Sequence, residues 1–166
     1  VGNIRNQTMT EATSASQIVG MPYGVTSQIS TTQAPTSSFF GASVLKPGYT
    51  EILMEYSEVL FLLSEANGWS QSYYEQGVRA SMEKWNIDSA KINAFVAALP
   101  PANKQNVLTQ KYVSLFMQPF EAWAEYRRTG YPNTLLLPGQ SAALNVATAS
   151  GQTTYTFTSL IADLTD

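Results

Sequence analysis

The sequence predicts an all-α domain of antiparallel helical hairpins, flanked on both sides by long irregular loops. Three observations carry that reading. Between Glu51 and Arg128 apolar residues recur at spacings of three and four, which lines one face of successive helices. Nearly all charge lies between Lys46 and Arg128: Glu11 is the only charged residue between Asn6 and Leu45, and none occurs from Tyr131 to Ala162. The flanks are Thr, Ser, Gln, Gly and Pro, punctuated by Met21-Pro22-Tyr23-Gly24 and Phe39-Phe40-Gly41, and they hold no sustained period.

In the first helix Ile52, Leu53, Tyr56, Val59, Leu60, Leu63 and Ala66 form the stripe, widened by Phe61 and Leu62. Thr50 is the expected N-cap and Gly68 the expected stop. A second helix starts near Gln71 or Ser72 and carries Tyr74, Val78, Met82 and Trp85. The short turn at Gly68 makes the two an antiparallel pair. A third starts at Asp88 or Ser89, buries Ile92, Phe95, Val96 and Leu99, and ends before Pro100-Pro101, because proline cannot continue the ladder. A fourth runs from about Ala102 with Val107, Leu108, Tyr112, Leu115 and Phe116 on its stripe. Pro119 breaks it and opens a fifth, with Phe120, Trp123, Ala124 and Arg127 on one face, closed by Gly130 and Pro132. The tail is neutral loop with a possible strand from Thr153 to Leu160, where Tyr155 and Phe157 alternate with Thr.

At 166 residues, 44% hydrophobic and 13% charged, the chain can bury a single core and is too apolar to be disordered. It holds no cysteine and no histidine, which removes disulfides, thiolate nucleophiles, His-based triads and most zinc or haem sites. No cofactor is expected. A net charge of −3 without a basic stripe argues against nucleic acid. No apolar run approaches the about 20 residues of a spanning helix, and the stretch from Val1 does not itself read as a secretion signal. About 45 residues of loop usually lie against another layer of protein, so the chain reads as the C-terminal part of one larger domain. Within it, residues 1–49 are an irregular segment, 50–131 the helical region and 132–166 a neutral loop tail.

Three groups of residues could carry chemistry. Glu51, Glu55 and Glu58 lie at i, i+4 and i+7, one exposed face at a helix start, where the dipole favours carboxylates. A glycosidase pair would face across a cleft instead, and no nucleophile elbow, P-loop or dinucleotide glycine pattern occurs. Arg127-Arg128 can bind an anion or simply complement a helix C-terminus, with Glu121, Glu125 and Arg128 spaced for surface pairing. Tyr23, Phe39, Phe40 and Tyr49 lie in loop-like chain beside hydroxyl and amide residues. Such rings are either sugar-stacking platforms or loop residues packed on the core.

The middle of the chain resembles a family. The blocks are Glu58-Val59-Leu60-Phe61-Leu62-Leu63-Ser64-Glu65-Ala66, Tyr74 through Trp85, Gln110-Lys111-Tyr112-Val113, and Glu121-Ala122-Trp123-Ala124-Glu125-Tyr126-Arg127-Arg128-Thr129-Gly130-Tyr131-Pro132. Their order and wording are similar to the signature of SusD-like (SusD/RagB) lipoproteins, with Tyr112 where that family usually has Trp. The resemblance implies tetratricopeptide-like helical hairpins and no catalysis. It also implies a lipid anchor on the outer face of the outer membrane after signal-peptide removal, and capture of oligosaccharide or polysaccharide for a TonB-dependent, SusC-like transporter. The lipidated Cys and the closing Arg-rich element of the family are not in this sequence. Sugar contacts in the family come largely from variable loops. The matched residues Glu65, Tyr74, Trp85, Trp123, Arg127 and Arg128 are therefore expected to be structural, with Trp85 and Trp123 in the core and both arginines as helix-end donors. Tyr23, Phe39, Phe40 and Tyr49 are the candidate ligand-binding residues. The competing readings are a helical-repeat interaction scaffold without a sugar ligand, and a helical hydrolase relying on Glu51, Glu55 or Glu58.

Overall fold

A computed structural model describes residues 19–41 and 44–158. The chain divides into two compact units, Gly48–Thr134 and the paired segments Val1–Pro47 and Leu135–Asp166.

Residues 48–134 form stacked helices: α2 (Tyr56–Ala66), α3 (Gln71–Lys84), α4 (Ser89–Ala97), α5 (Lys104–Ser114) and α6 (Pro119–Thr129). Local chemistry sets most of their ends. The Asp88 carboxylate accepts from the Ala90 and Lys91 amides and opens α4, and Asn103 accepts from the Asn106 amide to open α5. Pro119 starts α6, and Gly130, at φ +75°, ends it by donating its amide to the Tyr126 carbonyl. Gly68 and Trp69 both take positive φ in the α2–α3 turn. The buried Ser64 fastens that turn, donating its hydroxyl to the Ser70 carbonyl at 2.8 Å.

The first helix is shorter than its apolar spacing predicts. It starts at Tyr56 with Glu55 as N-cap, not at Glu51 after Thr50. The reason is non-local. The Gln118 side-chain amide donates to the Ile52 carbonyl at 2.8 Å, occupying the acceptor that the Tyr56 amide would use in a longer helix. Leu53 and Met54 are left 89% and 61% exposed. The inward face of α2 is Ser57, Glu58, Leu60, Phe61 and Ser64, whereas the expected stripe residues Tyr56, Leu63 and Ala66 face outward with Leu62.

The core joins Leu60 and Phe61 to Tyr74, Val78, Met82 and Trp85 of the α3 region, to Ile92, and to Val107, Leu108 and Leu115. Each fully buried side chain of this size contributes about 1.5–3 kcal/mol. Gly77 lets α3 approach α2, because a Cβ there would lie 2.9 Å from the Phe61 ring. Burial pushes the Tyr74 phenol up to about 12. The Gln118–Ile52 bond at one end and the Arg128–Glu65 pair at the other make α6 run parallel to α2. Among the expected stripe residues, Phe116 is also partly exposed, with its ring edge-on to Trp85 at 6.4 Å.

The other unit has more order than its composition predicts. A seven-residue helix α1 (Ser27–Gln33) follows the Thr26 cap, and a 3₁₀ turn spans Ala34–Thr36. Strand β1 (Ser141–Ala143) pairs antiparallel with β2 (Thr154–Thr156), Ala142 opposite Tyr155. The expected strand from Thr153 is thus confined to three residues, with Tyr155 buried. Leu160 lies outside the described residues. Gln33 is fully buried and satisfied: its amide donates to the Val146 carbonyl at 2.7 Å and accepts from the Val146 amide at 3.0 Å. One residue earlier, Asn145 donates to the Gly20 carbonyl.

Candidate functional site

Two groups of side chains stand out, one charged and internal, the other aromatic and exposed. The charged group corrects the expectation for the glutamates. Glu55 and Glu58 are buried rather than solvated, and Glu51 lies outside the helix. Glu55 bonds Lys84, whose ammonium also lies 4.7 Å from the Trp85 ring centroid. Lys111, 2% exposed, donates to Glu125 at 2.9 Å and stands 4.0 Å from Glu58. Arg128 forks onto Glu65 at 2.8 and 2.6 Å and bonds Glu125 at 2.6 Å. The chain Glu58–Lys111–Glu125–Arg128–Glu65 therefore clamps α2, α5 and α6, with three of the four matched blocks supplying its members.

Electrostatics differ along this chain. Hydrogen bonding to Arg128 holds the Glu65 carboxyl below its usual value against the opposing effect of burial. The same bond, with that to Glu125, holds Arg128 more firmly in its charged form. Burial pushes Glu58 up; Lys111 pulls it down, while Glu121, Glu125 and Glu55 add to the rise. The signs follow. Glu65, with a depressed folded pKa, contributes stability that is present above the unfolded carboxylate value of about 4.3 and is lost as pH falls. Glu58, with a raised folded pKa, contributes stability that is present below about 4.3 and is lost as pH rises through its folded value. Glu58→Gln should therefore leave the thermal midpoint at pH 7 equal or higher, the gain vanishing on acidification below pH 4. A midpoint lowered at pH 7 would show that the Lys111–Glu58 attraction outweighs the cost of burying the charge.

The helix α6 is turned differently from expectation. Trp123 is 60% exposed and Phe120 85%, so Trp123 is not a core residue of these helices. The inward face of α6 carries Gln118, Ala122, Glu125 and Thr129 instead, because Glu125 is drawn to Lys111 of α5 and Arg128 to Glu65 of α2. Arg128 is a helix-end donor as expected, whereas the Arg127 guanidinium lies over the Trp123 ring at 4.9 Å. Tyr74 and Trp85 are buried as expected, and Glu65 is half-buried in its ion pair.

Of the four candidate rings, Tyr23, Phe39 and Phe40 fall in one unit and Tyr49 in the other. Tyr23 is 48% exposed yet held. Its hydroxyl donates to the Leu136 carbonyl at 2.7 Å, and its ring meets Phe157 edge-to-face at 5.3 Å. Gly24, at φ +71°, sits against that Phe157 ring, so a Cβ there has no room. Phe39 and Phe40 are 54% and 43% exposed, next to a segment joined to Val19 by the Ser38 amide and hydroxyl. Tyr49 is half-buried, its phenol pushed up by burial and by Glu51 and Glu55. Phe157, which fixes the Tyr23 ring, shows in the sequence only as one of the aromatics alternating with Thr.

Stacked antiparallel hairpins define a class, the helical-hairpin proteins of tetratricopeptide type. The chain belongs to the SusD-like family, described as starch-binding and associating with the outer membrane, whose pattern matches residues 3–155. A solved structure named "Bacteroidetes AC2a SusD-like" superposes with a TM-score of 0.56 at 30% identity. That match covers 63% of this chain and 24% of the solved chain, so this sequence spans about a quarter of that structure's length. No curated protein sequence matches it significantly.

Proposed function

We propose that this chain is part of a non-catalytic glycan-binding protein that captures starch-like oligosaccharides at the extracellular face of the outer membrane. The observation that carries this reading is the family match over residues 3–155, to proteins described as starch-binding. The rings support it physically. Tyr23 is anchored by Leu136 and Phe157 while nearly half its surface stays open, so stacking on a sugar would cost little side-chain entropy. By family membership a lipid anchor outside these residues would hold the protein to the membrane; no helix among the described residues is long and apolar enough to cross one. A SusC-like transporter would receive the cargo.

The test is calorimetric titration of the full-length protein with maltoheptaose and other glucans. Tyr23→Ala and Phe39→Ala should each weaken binding about fivefold, the equivalent of about 1 kcal/mol per aromatic contact; Phe40→Ala should behave alike. Unchanged affinity in all three would remove these rings from the site. Absence of binding to any glucan, with a protein partner co-purifying, would favour the scaffold reading.

A further inference from the structure

The outward face of α6 is apolar where the last helix of a stack should be polar. Phe120, Trp123, Ala124 and Arg127 lie at i, i+3, i+4 and i+7, the pattern of a covered helical face. Yet Phe120 is 85% and Trp123 60% exposed. The Gln118–Ile52 bond brings the chain preceding α2 to the start of α6. That chain carries Leu53, 89% exposed, and Met54, 61% exposed, a second apolar exposure near the start of the helix. Exposed aromatic surface on one helix face marks a contact, and stacked helical repeats end in a polar outer face when nothing follows.

We propose that the outward face of α6 is an internal joint covered by a further helix of the full-length SusD-like polypeptide. The length argues for this occupant. The matched part of this chain is 24% of the solved SusD-like chain, so most of that fold lies outside the matched residues. The covering helix sets an apolar stripe against Phe120 and Trp123 and a carboxylate near Arg127, whose guanidinium already lies on the Trp123 ring. The inference rests on family membership and is independent of the glycan reading.

Hydroxyl-radical footprinting of the full-length protein, monomeric by sedimentation and free of glycan, tests it. Trp85 is the internal reference. An uncovered Trp123 reacts about sevenfold faster than Trp85, the ratio of 60% to 8% exposure, whereas a covered one reacts within about twofold of it. Similar rates support the joint, and a sevenfold difference overturns it. Protection that appears only with added maltoheptaose, only at concentrations where the protein dimerises, or already in the 166-residue chain alone assigns the cover elsewhere and also overturns it. Trp123→Ser in the full-length protein should lower the thermal midpoint or the folded yield. An unchanged midpoint counts against the joint, since truncating a solvated ring costs little.

Discussion

Replacing Lys111 with alanine is expected to lower folding stability by about 3–5 kcal/mol, the cost of removing one partner from a buried ion pair. The side chain is 2% exposed and lies 2.9 Å from Glu125, which Arg128 also bonds, and 4.0 Å from Glu58. Without it Glu58 stays in its buried setting and Glu125 keeps Arg128 alone. An exposed pair would contribute no more than about 1 kcal/mol, so the size of the loss in a urea titration at pH 7 decides between the two descriptions. The deficit should narrow as pH falls, because Glu58, without Lys111 to pull its pKa down, gains its proton earlier in the variant. Glu125→Gln in the Lys111→Met background should cost less than the sum of the two single changes, since fewer buried charges are left unmatched. A loss below about 1 kcal/mol for Lys111→Ala would mean that water reaches the network.

The same network explains what the sequence could and could not reveal. Helix ends set by neighbouring residues were legible: Asp88, Pro119 and Gly130 each mark a boundary that the structure keeps. The start of α2 was not, because the group that takes the Ile52 carbonyl is Gln118, 66 residues away. Glu55 and Glu58 have the spacing of a solvated face, and their partners Lys84 and Lys111 arrive from other helices. Trp123 looked internal because periodicity reports that a helix has an apolar stripe, not which face its neighbours claim. Glu125, pulled inward by Lys111, decides that. In α1 no apolar period exists to find; Gln33 is buried by satisfying both backbone groups of Val146. The candidate rings were visible as aromatics in uncharged loop, but the anchoring of Tyr23 by Leu136 and Phe157 joins segments more than a hundred residues apart.

Phe61→Ala should be as costly as the loss of Lys111, about 3–5 kcal/mol, because the ring is 1% exposed and its removal leaves a cavity that rigid helices close poorly. Gly77 lies directly against it, and there two effects oppose each other. Alanine in mid-helix favours the folded state by about 1 kcal/mol over glycine. The new methyl, however, would meet Cε1, Cδ1 and Cζ of Phe61 at 2.9, 3.0 and 3.0 Å, and overpacking a close-fitted core costs about 1–3 kcal/mol. A planar ring held between α2 and α3 cannot swing its end away as a lysine would, so Gly77→Ala should be net destabilising. In a Phe61→Leu background the collision is relieved and the same substitution should become neutral or stabilising. Denaturation of the four proteins in this cycle measures the coupling directly. If Gly77→Ala stabilises the parent, the helices have room to separate, and the glycine is not what sets the approach of α2 to α3.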